Sequence, residues 1–231
     1  LNNGFAVSAA LYRRLPYDPR ADIEPVAMLA STGLVLLVGA DGPRDLPDLI
    51  RQARARPEAI NVATVGVGST QHFVAEAVQA AGAFRLTHVP YRGTPAAIVA
   101  LRNGEVGVVA ETASAVLGQI RSGEVRAVAI TSPRRSPLLP EVPTVAESLG
   151  QPFDIETWFA IGAPTRMPAG ATERITEVAR SLFANAELRA RLADLGLSAR
   201  EPGMPAEARA LVHAEIARWA EVIDRTRMER Q

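Results

Sequence analysis

Asn61-Val62-Ala63-Thr64-Val65-Gly66-Val67-Gly68-Ser69-Thr70-Gln71-His72-Phe73 reads as a short apolar strand, a glycine-rich turn and the start of a helix. Val62 and Val65 suit a strand, and Gly66 and Gly68 permit backbone angles that other residues resist. Ser69 or Thr70 is a good N-cap. Phe73, Val74, Ala77, Val78 and Ala81 then recur at helical spacing. A helix start carries free N–H groups and partial positive charge, so it holds a carboxylate or phosphate without Lys or Arg. The same residues also fit a plain strand-to-helix turn whose glycines serve geometry alone.

Outward from this stretch the pattern repeats. Upstream, Gly33 to Gly39 is a continuous apolar run, as in a strand buried on both faces. Asp45 then caps a helix carrying Leu46, Leu49 and Ile50, ending before Pro57. Downstream come a strand from Leu86 to Val89, the turn Pro90 to Thr94 and a helix to Leu101. Val106 to Ala110 is a buried strand followed by Glu111-Thr112, then a helix from Ser114 to Ile120 and a strand from Val125 to Ile130. This alternation predicts a parallel α/β sheet. Ligands bind such sheets beyond the carboxyl ends of the strands. Three turns sit there, Gly66 to Thr70, Tyr91 to Thr94, and Glu111-Thr112, and they can converge on one cleft.

The flanks are different. Residues 1–32 predict an Ala-rich helix to Leu15, broken by Pro16 and Pro19, then an extended segment from Ile23 to Leu29. Residues 131–152 are proline-rich but ordered, because Leu138, Leu139 and Val142 need burial. Trp158 to Pro164 is a strand. The tail predicts helices over 171–185, 186–195 and 205–227. The last is amphipathic through Leu211, Val212, Ile216, Trp219 and Ile223.

Composition narrows the function. The 231 residues suffice for one or two domains, and 48% of them are apolar, so the chain is globular. Its formal net charge is zero, which argues against nucleic acid as a partner. The absence of cysteine excludes disulfides, thiolate zinc sites and a cysteine nucleophile. No apolar run reaches membrane-spanning length.

The motifs in order carry a resemblance. They are Ala10-Leu11-Tyr12 with Leu15 to Pro19, Gly66 to Ser69 with His72, His88 to Gly93, and Ile120 to Gly123. Val125 to Ser132, Arg135-Ser136-Pro137, Leu139 to Glu147, Trp158-Phe159 and Ala163-Pro164 complete them. The chain resembles the Bug family of extracytoplasmic solute receptors, the binding proteins of tripartite tricarboxylate transporters. The resemblance implies an α/β, two-lobe periplasmic binding protein of the type II class, which closes on a small carboxylate and delivers it to membrane permease subunits. It implies a periplasmic location, no cofactor, no metal and a monomer. Residues 33–152 would form the second lobe, and 1–32 with 153–231 the first. Family members carry a signal peptide and a further strand–turn–helix before the point matching Leu1, so the first lobe is expected to be incomplete at its N-terminus here. A second departure is Ala110-Glu111-Thr112, where the family often has Phe-Asp-Asn.

The candidate ligand-binding residues are Gly68, Ser69, Thr70, Tyr91, Gly93, Thr94, Glu111, Thr112 and Asn3. Ser69 and Thr70 are the anion-site candidates. Tyr91 lines the pocket or packs on a lobe surface. Arg92 is expected to face solvent. Glu111 and Thr112 either meet a ligand or cap the next helix. Trp158 is a pocket wall or hinge packing. His72 is expected to be a buried structural histidine; His88 and His213 are far from it in sequence, and no pair of these histidines shows metal-ligand spacing. A ligand-sensing effector domain of a regulator is the alternative, although no helix-turn-helix is present. A hydrolase is less favoured, because the Ser69–His72–Glu111 set puts Ser69 and His72 in one helical turn and no G-x-S-x-G is present.

Overall fold

Asn2 opens α1 (Asn3–Leu11) by accepting the Gly4 N–H on its side chain at 3.0 Å. The helix stops at Leu11 rather than at the expected Leu15. Tyr12 is already extended, and the prolines that follow disfavour helical angles before them. The computed structural model describes residues 1–66, 69–201, 203–226 and Arg230. After α1 the elements are β1 (Ile23–Gly39), α2 (Leu46–Ala55), β2 (Asn61–Thr64), α3 (Thr70–Gly82), β3 (Thr87–Pro90) and α4 (Thr94–Arg102). They continue as β4 (Val108–Thr112), α5 (Ala113–Arg121), β5 (Val125–Ile130), α6 (Val145–Leu149) and β6 (Glu156–Pro164). The last are α7 (Ala169–Ala184), α8 (Ala186–Asp194), β7 (Ser198–Ala199) and α9 (Pro205–Thr226).

The chain forms two compact units, Leu1–Thr32 with Thr157–Gln231, and Gly33–Glu156. The second unit extends to Glu156 because the Ile155 N–H donates to the Thr131 carbonyl at 3.0 Å and the Thr131 hydroxyl to the Ile155 carbonyl at 2.6 Å. β1 serves both units as one 17-residue strand, where two extended pieces were expected. Ser31 does not break it, because it stays in the ladder opposite Ser198.

In the first unit α1 lies along α9. The buried face of α9 is Ala208, Val212, Ile216, Trp219 and Ile223, at the expected helical spacing. Leu211, expected on that face, is only half-buried.

In the second unit the sheet order is β3-β2-β4-β1-β5. β2 runs parallel to β3 and β4, but β1 is antiparallel to β4 and to β5. The expectation of a wholly parallel sheet is therefore corrected to a mixed one. A continuous apolar run reports burial on both faces and says nothing of strand direction. Val35, Leu37, Ala63, Ile98, Leu101, Val109, Val116 and Ile130 share one core. Leu139 and Val142 join it, so the proline-rich stretch is ordered as expected. Thr144 and Glu147 form a full capping box on α6, and Arg135 braces the Glu147 carboxylate at 3.0 Å.

Gly33 begins the second unit with no room for a side chain. A Cβ there would meet the Ser132 backbone nitrogen at 2.6 Å and its Cβ at 2.8 Å. Gly33→Ala is expected to destabilise the protein by about 1–3 kcal/mol, the usual range for overpacking. Gly118→Ala, inside α5 with open space around the added methyl, should instead stabilise by roughly 0.4–1 kcal/mol. Urea denaturation of the two variants gives the comparison, and equal midpoints would contradict it.

Candidate functional site

Parallel pairing of β2, β3 and β4 puts their carboxyl ends on one edge of the second unit's sheet. Each end passes into a helix. After β2, Gly66 turns at φ +122°, an angle that favours glycine. Ser69 then caps α3, its Oγ accepting the His72 N–H at 3.2 Å. After β3, Gly93 at φ +91° is the N-cap of α4. After β4, Thr112 is the N-cap of α5.

Glu111 joins the three. It is only 5% exposed. Its Oε2 accepts from the Thr94 hydroxyl in α4 and from Gln71 Nε2 in α3, the latter at 3.3 Å. Its Oε1 accepts the Thr112 N–H at 2.7 Å and the Thr112 hydroxyl at 3.3 Å. One carboxylate therefore touches the first turns of α3 and α4 and the N-cap of α5, so the three turns converge. A carboxylate has about four lone-pair directions, and these contacts occupy them. Glu111 thus bridges the starts of three helices. Its charge suits the place, since helix N-termini favour negative charge.

Ser69, Thr70, Thr94 and Thr112 thus gather around this clamp. Gly68 lies outside the described residues. The Ser69 N–H is taken by the Gly66 carbonyl at 3.2 Å, so it is not a free donor. No described residue accepts from the N–H of Thr70 or Gln71, which are helix-start donors. The Ser69 Oγ accepts from His72 and keeps its own proton to donate. Gln71, not expected from the sequence, enters through its side chain.

Tyr91 is half-buried against the core and its N–H bonds the Thr64 carbonyl at 2.7 Å, so it packs as well as turns. Arg92 is exposed, as expected. Asn3 is fully buried in the first unit, where its Oδ1 accepts the Trp158 N–H at 3.2 Å. Trp158 is itself only 3% exposed.

His72 is buried, as expected, and lies beside His88 with ring centroids 4.3 Å apart. Burial and the neighbouring His88 push the His72 pKa down to about 4. Glu76 sits 2.6 Å from His88 Nε2. Burial raises its pKa, but the His88 hydrogen bond and the charges of His88, His72 and Arg85 outweigh this, and the carboxyl lies below its usual range. His72 and Glu76 are four apart on one helix. Such i,i+4 pairs lie on one helix face, and β3 adds His88.

Residues 1–228 match the family model described as "Tripartite tricarboxylate transporter family receptor". The fold is similar to that of three solved structures. Rpa4515 of Rhodopseudomonas palustris, solved with adipate, is 29% identical, with a TM-score of 0.84 over 97% of this chain and 75% of that one. The periplasmic binding protein BugD is 25% identical, with a TM-score of 0.85 over 100% and 78%. MatC of Rhodopseudomonas palustris, with bound malate, is 29% identical, with a TM-score of 0.80 over 96% and 77%. The chain spans about two thirds of the length of three curated relatives, from Pseudomonas sp. (strain P51), Agrobacterium vitis and Bordetella pertussis. One of them, from Pseudomonas sp. (strain P51), is 33% identical over 96% of this chain and 66% of its own length.

Proposed function

Because the chain belongs to the tripartite tricarboxylate transporter receptor family, with its α/β two-lobe periplasmic-binding fold, we propose that it is a solute-binding receptor for small carboxylates. The observation that carries this reading is the Glu111 clamp, which brings three strand-to-helix turns to one place. In this reading the ligand carboxylate sits on the N–H groups of Thr70 and Gln71, with the Ser69 hydroxyl as a third donor. Helix-start N–H groups bind anions without a cationic side chain, and the exposed Arg92 is not needed. Tyr91, Gly93, Thr94 and Thr112 shape the surroundings, and Glu111 positions Gln71 and Thr94 rather than touching the ligand. Adipate in Rpa4515 and malate in MatC support a dicarboxylate as the ligand class. We place the receptor in the periplasm and the permease subunits of a tripartite transporter as its partners, on family grounds. Among the described residues no helix is long and apolar enough to cross a membrane. No catalytic role is assigned to any residue.

Calorimetric titration with adipate and malate tests this. At least one should bind. A hydrogen bond to a charged group is worth roughly 1.5–3 kcal/mol, so Ser69→Ala should weaken binding about 10- to 100-fold. Arg92→Ala should change it less than about threefold. The helix-start site is wrong if Arg92→Ala abolishes binding and Ser69→Ala leaves it intact.

A further inference from the structure

The side chains of His72, Glu76 and His88 are not among the contacts of the Glu111 clamp and have no part in the proposed capture of a carboxylate. His72 and Glu76 project from one face of α3, and His88 comes from the edge strand β3. One donor atom from each lies within 4.8 Å of the other two. All three side chains are largely withdrawn from solvent, His72 and Glu76 each being 9% exposed.

Their hydrogen bonding does not balance. The Nδ1 atoms of both His72 and His88 are buried and have no partner. The His72 ring bonds the Gly66 backbone. Its Nδ1 is left without a partner. At His88 the conflict is sharper. Gln79 is locked in orientation, because its Oε1 accepts the Leu86 N–H at 2.6 Å and its Nε2 donates to the Ala75 carbonyl at 3.2 Å. That same Nε2 lies 3.1 Å from His88 Nε2, which also lies 2.6 Å from a Glu76 carboxylate oxygen. A single ring nitrogen cannot both accept from the amide and donate to the carboxylate. Buried polar atoms left unsatisfied are rare and costly. Arg85 stands 4.0 Å from the other Glu76 carboxylate oxygen and is largely exposed.

We propose that His72, Glu76 and His88 bind one divalent transition-metal ion of the zinc type. Two imidazole nitrogens and one carboxylate oxygen form a donor set that zinc accepts, with the fourth position left to water. A cation shared by the three would give the His72 Nδ1, which has no donor to meet, a partner as a ligand. The His72 bond to the Gly66 carbonyl is the outer contact that fixes a ligating imidazole's orientation in metal sites generally. The ion would tie the first turn of α3 to β3. That turn carries Thr70 and Gln71, so the metal would hold the candidate carboxylate site in shape without touching the ligand.

The test uses tag-free protein stripped with a chelator and titrated with Zn²⁺ alone, then with Co²⁺ as a visible-absorption reporter. The expected result is one Zn²⁺ per chain, a raised melting temperature, and a Co²⁺ spectrum of a low-coordinate nitrogen and oxygen site. His72→Phe keeps a ring in the cavity, and His88→Gln keeps an N–H for Glu76. Each should weaken Zn²⁺ binding by more than about 100-fold, beyond the 10- to 100-fold range for losing an outer partner. Glu76→Gln preserves shape and reports the same loss should a histidine variant fail to fold. His213→Ala, in the first unit, should bind as the parent does. Absence of stoichiometric Zn²⁺ and Co²⁺ binding by the parent protein overturns the proposal, as does binding that survives in the folded variants.

Discussion

Glu111→Ala is expected to lower affinity for adipate or malate by at least about 100-fold and to destabilise the second unit by about 2–3 kcal/mol. The carboxylate receives four donors, from Thr94, Gln71 and twice from Thr112. Each buried donor left without a partner costs roughly 1–3 kcal/mol. The sum is reduced because hydroxyls can rotate to other partners and because removing a buried charge relieves its own desolvation. Affinity suffers more than stability, since Gln71 and Thr94 lose the group that fixes them, and about 1.4 kcal/mol is already tenfold. Glu111→Gln separates the effects. It keeps the size and one acceptor oxygen but presents an N–H₂ where donors already point, so it should fall between the parent and the alanine variant. Urea denaturation gives the stability and calorimetry the affinity. If Glu111→Ala binds as the parent does, Glu111 is a packing residue and the three-turn site is not the ligand site.

The path from sequence to this clamp was only partly visible. Asp45 before Leu46, Ser69 before Thr70 and the run Val125 to Ile130 mark their elements correctly, because caps and short apolar strands are local signals. β4 is different. The apolar run suggested a strand from Val106 to Ala110, yet pairing runs from Val108 to Thr112. Val106 is buried as part of the approach to the strand. Glu111 pairs with Val35 despite its charge, because the clamp satisfies the carboxylate. Hydrophobicity reports burial, and a buried charge with partners is invisible to it. The same limit hid the direction of β1, whose Leu34 to Val38 are all buried whichever way the neighbouring strands run. Gln71 and His88 were out of reach for another reason. Each meets its partner only once the chain has folded, Gln71 across 40 positions to Glu111 and Gln79 across nine to His88.

Phe73→Ala is expected to be the most damaging single change to the second unit, at about 3–5 kcal/mol. Phe73 is fully buried in the first turns of α3, and its ring stacks on His72 at 5.9 Å. Removing a buried aromatic ring forfeits its transfer energy and leaves a cavity that neighbours fill only in part. The local surroundings resist collapse. Val74 and Val78 on the same helix are buried and β-branched, hence stiff at χ1. Ser69, the cap, sits one turn before Phe73 and accepts the Phe73 N–H on its carbonyl at 3.1 Å. Loosening the ring therefore reaches the donors of Thr70 and Gln71 as well as the fold. Phe73→Leu keeps most of the volume and should cost less than half as much. Hydrogen exchange of amides in α3, with α9 in the first unit as the reference, measures the effect where it arises. The expected outcome is faster exchange over residues 70–82 in Phe73→Ala, with partial recovery in Phe73→Leu and little change in α9. Exchange that rises equally in both helices would mean that the two units unfold as one, and that the ring supports the whole chain rather than the first turn of α3.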